Sequence, residues 1–232
     1  MIVCHRYRFI FIKTRKTAGT SMEIALSRYC DKGDIVTPIA PVDEVTRRKM
    51  GYQGPVNYGI PFRSYSLSHW KKWLLKGERK KRFHNHTPGP RVRELLSPEI
   101  WNTYHKFCFE RNPWDKLVSA YFWEKSRSDG LRWEEFINDP GRWRIYREFR
   151  SYADERGPIL DFVGKYETIT DDLAAVAGRL GLPDFPELPT AKSSQRENTY
   201  SYTTFYTREQ KELVEREFAD EIRLLGYRFE GS

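Results

Sequence analysis

The chain has 232 residues, of which 39% are hydrophobic and 15% aromatic, enough for the core of one α/β domain and too few for two large ones. There is no membrane-spanning apolar stretch and no secretory leader, so we expect a single soluble, cytoplasmic domain over residues 1–232. The net charge of +8 favours an anionic partner, while three scattered cysteines predict neither a disulfide framework nor a metal site.

The first predicted unit is a strand, a polar loop and a helix. Residues 7–14 predict a buried strand, because four consecutive apolar residues begin at Phe9. A helix should begin near Thr20 or Ser21. The loop between them reads KTRKTAGTS, in which small residues let the backbone approach an anion and Lys16 adds a positive charge. On this stretch alone, a basic turn with a Thr or Ser helix cap explains the loop equally well.

A basic and less regular segment follows at about residues 51–93. Between Arg63 and Arg93, ten Lys or Arg residues stand against one acid, Glu78. The stretch HWKKWLLK within it predicts a short basic helix that ends near Gly77. Aromatic residues among the cations suit a sugar or an anionic acceptor. Nucleic acid binding and a solvated basic surface without a ligand are the alternatives.

The second unit repeats the order of strand and helix. Residues 106–110, KFCFE, predict a buried strand, and RNPWDKLVSAYFWEK predicts a helix capped by Asn112 with Pro113 at its first position. Ser119 lies about two turns along this helix. Arg111 at the strand end and Ser119 therefore form a second candidate site for an anion.

The remaining elements complete an alternating pattern. Residues 160–166 predict a third strand, and residues 170–180 predict a helix that ends at a glycine. A last helix should begin at Thr207 and stop at Gly226. This order predicts an α/β fold with a central, mostly parallel sheet flanked by helices.

The stretches KTAGTS and FERNPWDKLVSAY, in this order, resemble the carbohydrate-type sulfotransferases that use 3′-phosphoadenosine 5′-phosphosulfate (PAPS). KYETITDDLAAVAGRLGL and the LLGY ending also look like that family, which includes heparan sulfate 2-O-sulfotransferase and bacterial relatives. The resemblance implies a sulfotransferase fold similar to the P-loop nucleotide-binding fold. It also implies PAPS as sulfuryl donor, adenosine 3′,5′-bisphosphate as product, and no metal.

The resemblance assigns cofactor-binding positions residue by residue. The loop that cradles the 5′-phosphosulfate is matched by Lys16, Thr17, Ala18, Gly19, Thr20 and Ser21. Arg15 is a further cofactor-binding candidate, although the family often has a less charged residue at this position. Arg111 and Ser119 match the pair that grips the 3′-phosphate. Lys192 and Ser193 lie in a loop that can close over the nucleotide in this family.

The same resemblance suggests two catalytic residues. Lys16 would stabilise the negative charge on the leaving phosphate, as in phosphoryl transfer. His86, followed by Thr and Pro, matches a frequent base that takes the proton from the acceptor hydroxyl, and His84 is its nearest rival. Both histidines also fit an ordinary solvated basic loop. The expected acceptor is a hydroxylated compound, with an anionic carbohydrate among the candidates, and not a nucleic acid.

Two other function classes stay open. A P-loop-like nucleotide kinase would share the fold, but the GK[ST] order and a clear magnesium-binding acid are missing from the sequence. A non-catalytic polyanion-binding protein would explain the charge, but not two separate sites at Lys16 and at Arg111 with Ser119.

Overall fold

The computed structural model describes residues 1–77, 80–184, 188 and 201–230. The strands among these residues are β1 (Ile2–Cys4), β2 (Phe9–Phe11), β3 (Ile35–Val36), β4 (His105–Glu110), β5 (Ala153–Asp154), β6 (Gly157–Pro158) and β7 (Phe162–Lys165). The helices are α1 (Gly19–Ser27), α2 (Pro41–Lys49), α3 (Leu67–Lys76), α4 (Gly89–Leu95), α5 (Pro98–Thr103), α6 (Pro113–Lys125), α7 (Trp133–Ile137), α8 (Pro140–Trp143), α9 (Phe149–Tyr152), α10 (Ile169–Leu180), α11 (Arg208–Glu217) and α12 (Ala219–Leu225).

Five strands form a central sheet in the order β3-β1-β2-β4-β7. Strands β2, β4 and β7 pair in parallel, whereas β1 is antiparallel to both of its neighbours. Strand β3 therefore runs in the same direction as β2, so four of the five strands point one way. The predicted mostly parallel sheet is confirmed, although β1 and β3 were not expected and β2 is shorter than the predicted strand at 7–14.

Helices cover both faces of the sheet. Along β4, Phe107 and Phe109 point to the face covered by α1 and α10, and Cys108 points to the opposite face. This alternation follows from the two-residue period of a strand. A separate apolar cluster joins α6, α7, α8, α11 and α12. Because β2, β4 and β7 are parallel, the loops that follow them meet at one edge of the sheet.

The predicted helix ends are confirmed where a local signal marks them. The Asn112 side chain accepts a hydrogen bond from the backbone N–H of Trp114 at 3.2 Å, and thereby caps α6. Thr207 and Gln210 form the capping box of α11. The last helix is not continuous, however, because the backbone leaves helical geometry at Phe218, which is fully buried against Trp143.

None of the helices in the described part of the chain is long and apolar enough to cross a bilayer. The longest of them, α6, has 13 residues.

Candidate active site

The loop between β2 and α1 has an unusual backbone. Lys16 and Ala18 have φ values of 64° and 55°, in the left-handed region that residues other than glycine rarely adopt. A Cβ atom at Gly19 would lie 2.7 Å from Cγ of Lys13, so only glycine fits there without a shift. Such conformations persist when the surrounding contacts impose them, and they concentrate at binding sites.

The N-terminus of α1 has no side-chain cap. Ala18 is the N-cap residue, no side chain bonds to the first helical amides, and the first turn contains no acid. These amides also lack partners within the helix, and the helix dipole places partial positive charge there. The Thr or Ser cap considered from the sequence is therefore absent, and the helix start is suited to an anion.

The hydroxyl groups of this loop contribute mainly to its own structure. Thr17 is fully buried, and its Oγ1 lies 3.0 Å from Oγ1 of Thr14. Thr20 Oγ1 accepts a hydrogen bond from Nζ of Lys13 at 3.0 Å, and Ser21 is buried. Side-chain contacts from these hydroxyls to a ligand stay predictions.

Lys13 anchors the loop to α1. Its Nζ lies 2.5 Å from Oε2 of Glu23, and both side chains are buried. Removing one partner of a buried ion pair destabilises the folded protein strongly, because the other charge is left buried without compensation. This pair therefore holds the loop at a fixed distance from α1.

A buried network of charges holds Arg15 from the other side. Glu148 accepts hydrogen bonds from the backbone N–H of Arg15 at 2.5 Å and from its Nη1 at 2.8 Å. Lys116 lies 3.3 Å from Glu148 and 2.8 Å from Glu110. Burial raises the pKa of Glu110 to about 7, and the nearby charge of Glu148 acts in the same direction. Glu148 thus links the residue before Lys16 to the end of β4.

Replacing Glu148 with glutamine should lower the free energy of unfolding by about 2 kcal/mol, because Arg15 and Lys116 lose a charged acceptor inside the protein. The matched control is Glu217→Gln, which removes a partly exposed ion pair with Arg147 and should cost less than about 1 kcal/mol. Urea unfolding measures both changes. Equal changes in the two variants would show that the buried network does not hold the loop.

Arg111 is almost fully buried and contacts the same loop. Its Nε and Nη2 donate to Oδ2 of Asp115 at 2.7 and 2.6 Å, and its Nη1 donates to the carbonyl oxygen of Lys16 at 3.2 Å. The guanidinium carbon lies 4.1 Å from the centre of the Tyr166 ring. In this structure Arg111 therefore braces the loop at Lys16, and its contact with a phosphate stays a prediction.

Ser119 lies on helix α6. Ser119 is half-buried, and Trp123 lies one turn further along the same face of the helix. The ammonium group of Lys16 lies 5.7 Å from the centre of the Trp123 ring. Lys16 and Arg111 are thus brought together, and a contact of Ser119 with a phosphate stays a prediction. Lys192 and Ser193 lie outside the described residues.

His86 lies next to this loop. Its Nδ1 is 3.0 Å from the carbonyl oxygen of Lys13. Since a carbonyl oxygen only accepts, Nδ1 carries the proton and Nε2 keeps a free lone pair. Burial, together with the charges of Lys13 and Arg15, lowers the pKa of His86 to about 3. His86 is therefore neutral at neutral pH, whereas its rival His84 is an exposed residue.

This depressed pKa predicts how stability depends on pH. The unfolded chain binds a proton at His86 near pH 6.5, but the folded protein does so only near pH 3. The free energy of unfolding should therefore fall as the pH is lowered through this window. Denaturant unfolding near pH 7 and near pH 5 should show a larger loss for the wild type than for His86→Gln. An equal loss in both proteins would contradict the assigned burial of this ring.

Away from this edge, the fold gathers three potential metal ligands that the sequence spacing did not indicate. Single ligand atoms of Cys4, Cys30 and Asp34 lie within 4.8 Å of one another. Both carboxylate oxygens of Asp34 already accept hydrogen bonds from backbone N–H groups, one from His5 and one from Asp31. All three cysteines of the chain are free thiols.

The chain is similar to several known proteins. A family model described as "Sulfotransferase family" matches residues 1–228. An uncharacterized protein of Archaeoglobus fulgidus is 36% identical over 104 residues, which are 42% of this chain and 84% of that protein. A crystal structure of a sulfotransferase from Alicyclobacillus acidocaldarius aligns with a TM-score of 0.43 and 15% identity, covering 96% of each chain. Because the family model spans nearly the whole sequence, this chain belongs to the sulfotransferase family.

Proposed function

We propose that the chain transfers a sulfuryl group from PAPS to an acceptor hydroxyl. The observation that carries this proposal is the uncapped N-terminus of α1, which follows the left-handed loop containing Lys16. Backbone amides and the positive charge of Lys16 match the needs of a phosphosulfate group. When bound, the donor supplies the sulfuryl group and a phosphate that can leave.

In this proposal, Lys16 neutralises the leaving phosphate. It lies between Arg15, which Glu148 holds, and the start of α1. The contact from Arg111 to its carbonyl oxygen further restricts the loop. A cation held in place before the reaction stabilises developing negative charge better than a mobile one, because little reorganisation is needed.

Arg111 and Ser119 are the proposed ligands of the 3′-phosphate. Asp115 holds the guanidinium group from one side, and Tyr166 stacks on its face. A guanidinium with five donors can keep these contacts and still donate to a phosphate oxygen. The Ser119 hydroxyl on α6 would add one neutral hydrogen bond. Lys192 and Ser193 remain further proposed contacts from the late loop.

His86 is the proposed general base. Its Nδ1–H is fixed on the Lys13 carbonyl, so Nε2 is the atom that can accept the proton of an acceptor hydroxyl. Its low pKa keeps this nitrogen unprotonated, although it also makes the ring a weak base. The acceptor oxygen loses electron density as it bonds to sulfur, and its proton therefore becomes more acidic. A weakly basic ring can then take this proton late in the reaction.

The proposed acceptor is a hydroxylated compound, and an anionic carbohydrate suits the charge best. His86 is part of the basic segment between Arg63 and Arg93. Arg91 and Arg93 of this segment are exposed and close to it in sequence. These cations would attract sulfate or carboxylate groups of a sugar chain. The more specific likeness to heparan sulfate 2-O-sulfotransferase stays a prediction.

A transfer assay with radiolabelled PAPS tests this proposal. The protein should move label to at least one member of a panel of neutral and anionic saccharides and small alcohols. Heat-denatured protein serves as the inactive control. Transfer of phosphate from labelled ATP to the same panel, with no transfer from PAPS, would instead establish the kinase alternative.

A further inference from the structure

Helix α3 exposes several large apolar side chains to solvent. Leu67 is 90% exposed, Leu74 is 71% exposed and Leu75 is 73% exposed. Trp70 is 37% exposed. Within the described residues, these four are half of the exposed large hydrophobic side chains, and they fall within a single helix of ten residues. Such a concentration on one element marks an interaction surface rather than scattered surface residues.

The exposed apolar residues form one stripe along α3. Leu67, Trp70 and Leu74 are spaced by three and four residues, which places them on one face, and Leu75 lies at its border. Lys71 is exposed on the same side of the helix, between Leu67 and Leu75. The helix is thus amphipathic, with its apolar side directed to solvent.

The chain around α3 is strongly basic. From 63 to 82, eight Lys or Arg residues stand against Glu78 alone. Arg63, Lys80, Lys81 and Arg82 are exposed at the two flanks of the helix. An apolar stripe between clusters of cations is the pattern of helices that lie in the headgroup region of anionic membranes.

Contacts through Tyr65 and Trp73 hold α3, and Trp70 of the apolar stripe takes part in them. The Tyr65 hydroxyl accepts a hydrogen bond from the backbone N–H of Lys80 at 3.0 Å and so joins the two flanks. Tyr65 packs edge-on against Trp70, and Trp70 packs edge-on against Trp73. These contacts fix the helix while Leu67 and Leu74 remain outside the core.

We propose that α3 docks the protein on the surface of an anionic lipid bilayer, with Leu67 and Leu74 inserted between headgroups and the flanking cations on lipid phosphates. A nucleic acid would use the cations but offers no apolar environment for the leucines. A second copy of the chain would bring two strongly basic segments together. No described helix can cross the bilayer, so α3 lies along its surface. This inference does not depend on the sulfotransferase reaction.

Flotation of the full chain with lipid vesicles tests the proposal. We expect binding to vesicles of phosphatidylcholine with phosphatidylglycerol, weak binding to phosphatidylcholine alone, and loss of binding at high salt. Replacing both Leu67 and Leu74 with serine should lower the partition coefficient at least about tenfold. Replacing Lys71 with glutamine should lower it about fivefold. The matched control is Val42→Ser on α2, because Val42 is as exposed as Leu74 and should change nothing.

Several results would overturn this proposal. The first is that the wild type does not float with anionic vesicles. The second is that the double serine variant floats as well as the wild type and unfolds at the same denaturant concentration. The third is tight binding of a DNA oligonucleotide with weak vesicle binding, where the serine substitutions do not change the affinity for DNA. This result would show that the surface binds polyanions and not lipid. The fourth is a dimer in sedimentation velocity that the serine substitutions dissociate, with no vesicle binding. This result would show that α3 is a self-association surface.

Discussion

Replacing Lys16 with alanine should lower the turnover number for sulfuryl transfer on the order of 10²-fold or more. The affinity for adenosine 3′,5′-bisphosphate should change much less, because the charge that Lys16 neutralises grows only as the sulfuryl group leaves. Steady-state transfer from labelled PAPS, combined with calorimetric titration of the bisphosphate, separates the two effects.

The control for Lys16 is Lys125→Ala at the end of α6, which removes an exposed lysine from the neighbouring helix. This variant should keep both turnover and affinity. If Lys16→Ala also retains near-normal turnover, Lys16 has no part in the chemical step. If only the affinity for adenosine 3′,5′-bisphosphate falls, Lys16 contributes to nucleotide binding and not to the chemical step.

Replacing His86 with alanine should reduce transfer by about 10²- to 10⁴-fold, the usual contribution of a general base. Binding of adenosine 3′,5′-bisphosphate should stay normal, because in this proposal His86 contacts the acceptor and not the nucleotide. Its Nδ1 contacts the backbone of Lys13. The same transfer assay and titration measure this variant.

His84→Ala is the matched control, since His84 lies two residues away and is exposed. We expect it to keep its activity. The assignment is wrong if His84→Ala is inactive while His86→Ala transfers sulfuryl groups at a normal rate. A variant that loses nucleotide binding as well as activity would indicate that His86 supports the loop rather than the chemistry.

Much of the fold could be predicted because its signals are local. Asn112 followed by Pro113 marks a helix start through side-chain capping and a fixed φ angle, and both effects act within one turn. Thr207 with Gln210 does the same for α11. The apolar run of β4 reflects burial on both faces of the sheet. Strand β3 has two residues, too few for any period to show.

The supports of the candidate site could not be predicted, because they join residues far apart in the chain. Glu148 contacts Arg15 across 133 positions, and it stands in the sequence as a single acid among arginines. The left-handed backbone at Lys16 and Ala18 also has no signal in the sequence, since neither residue type prefers it. Such features depend on the packed fold, which imposes them on the loop.

The proposed site at Arg111 and Ser119 would distinguish the donor from other adenine nucleotides. ATP, ADP and 5′-AMP have no 3′-phosphate and would leave this site without a ligand. Ser119→Ala is the cleanest variant here, because it leaves the contacts of Arg111 with Asp115 and Lys16 in place. It removes one hydroxyl donor, which is worth about 1 kcal/mol, or about fivefold in affinity for the bisphosphate.

Calorimetric titration of the wild-type protein with adenosine 3′,5′-bisphosphate and with 5′-AMP tests the assignment of a PAPS-type donor most directly. A charge-assisted contact to the 3′-phosphate contributes roughly 1.5–3 kcal/mol. The bisphosphate should therefore bind more than about tenfold more tightly than 5′-AMP. Equal affinities for the two nucleotides would contradict the proposed donor and its site at Arg111 and Ser119.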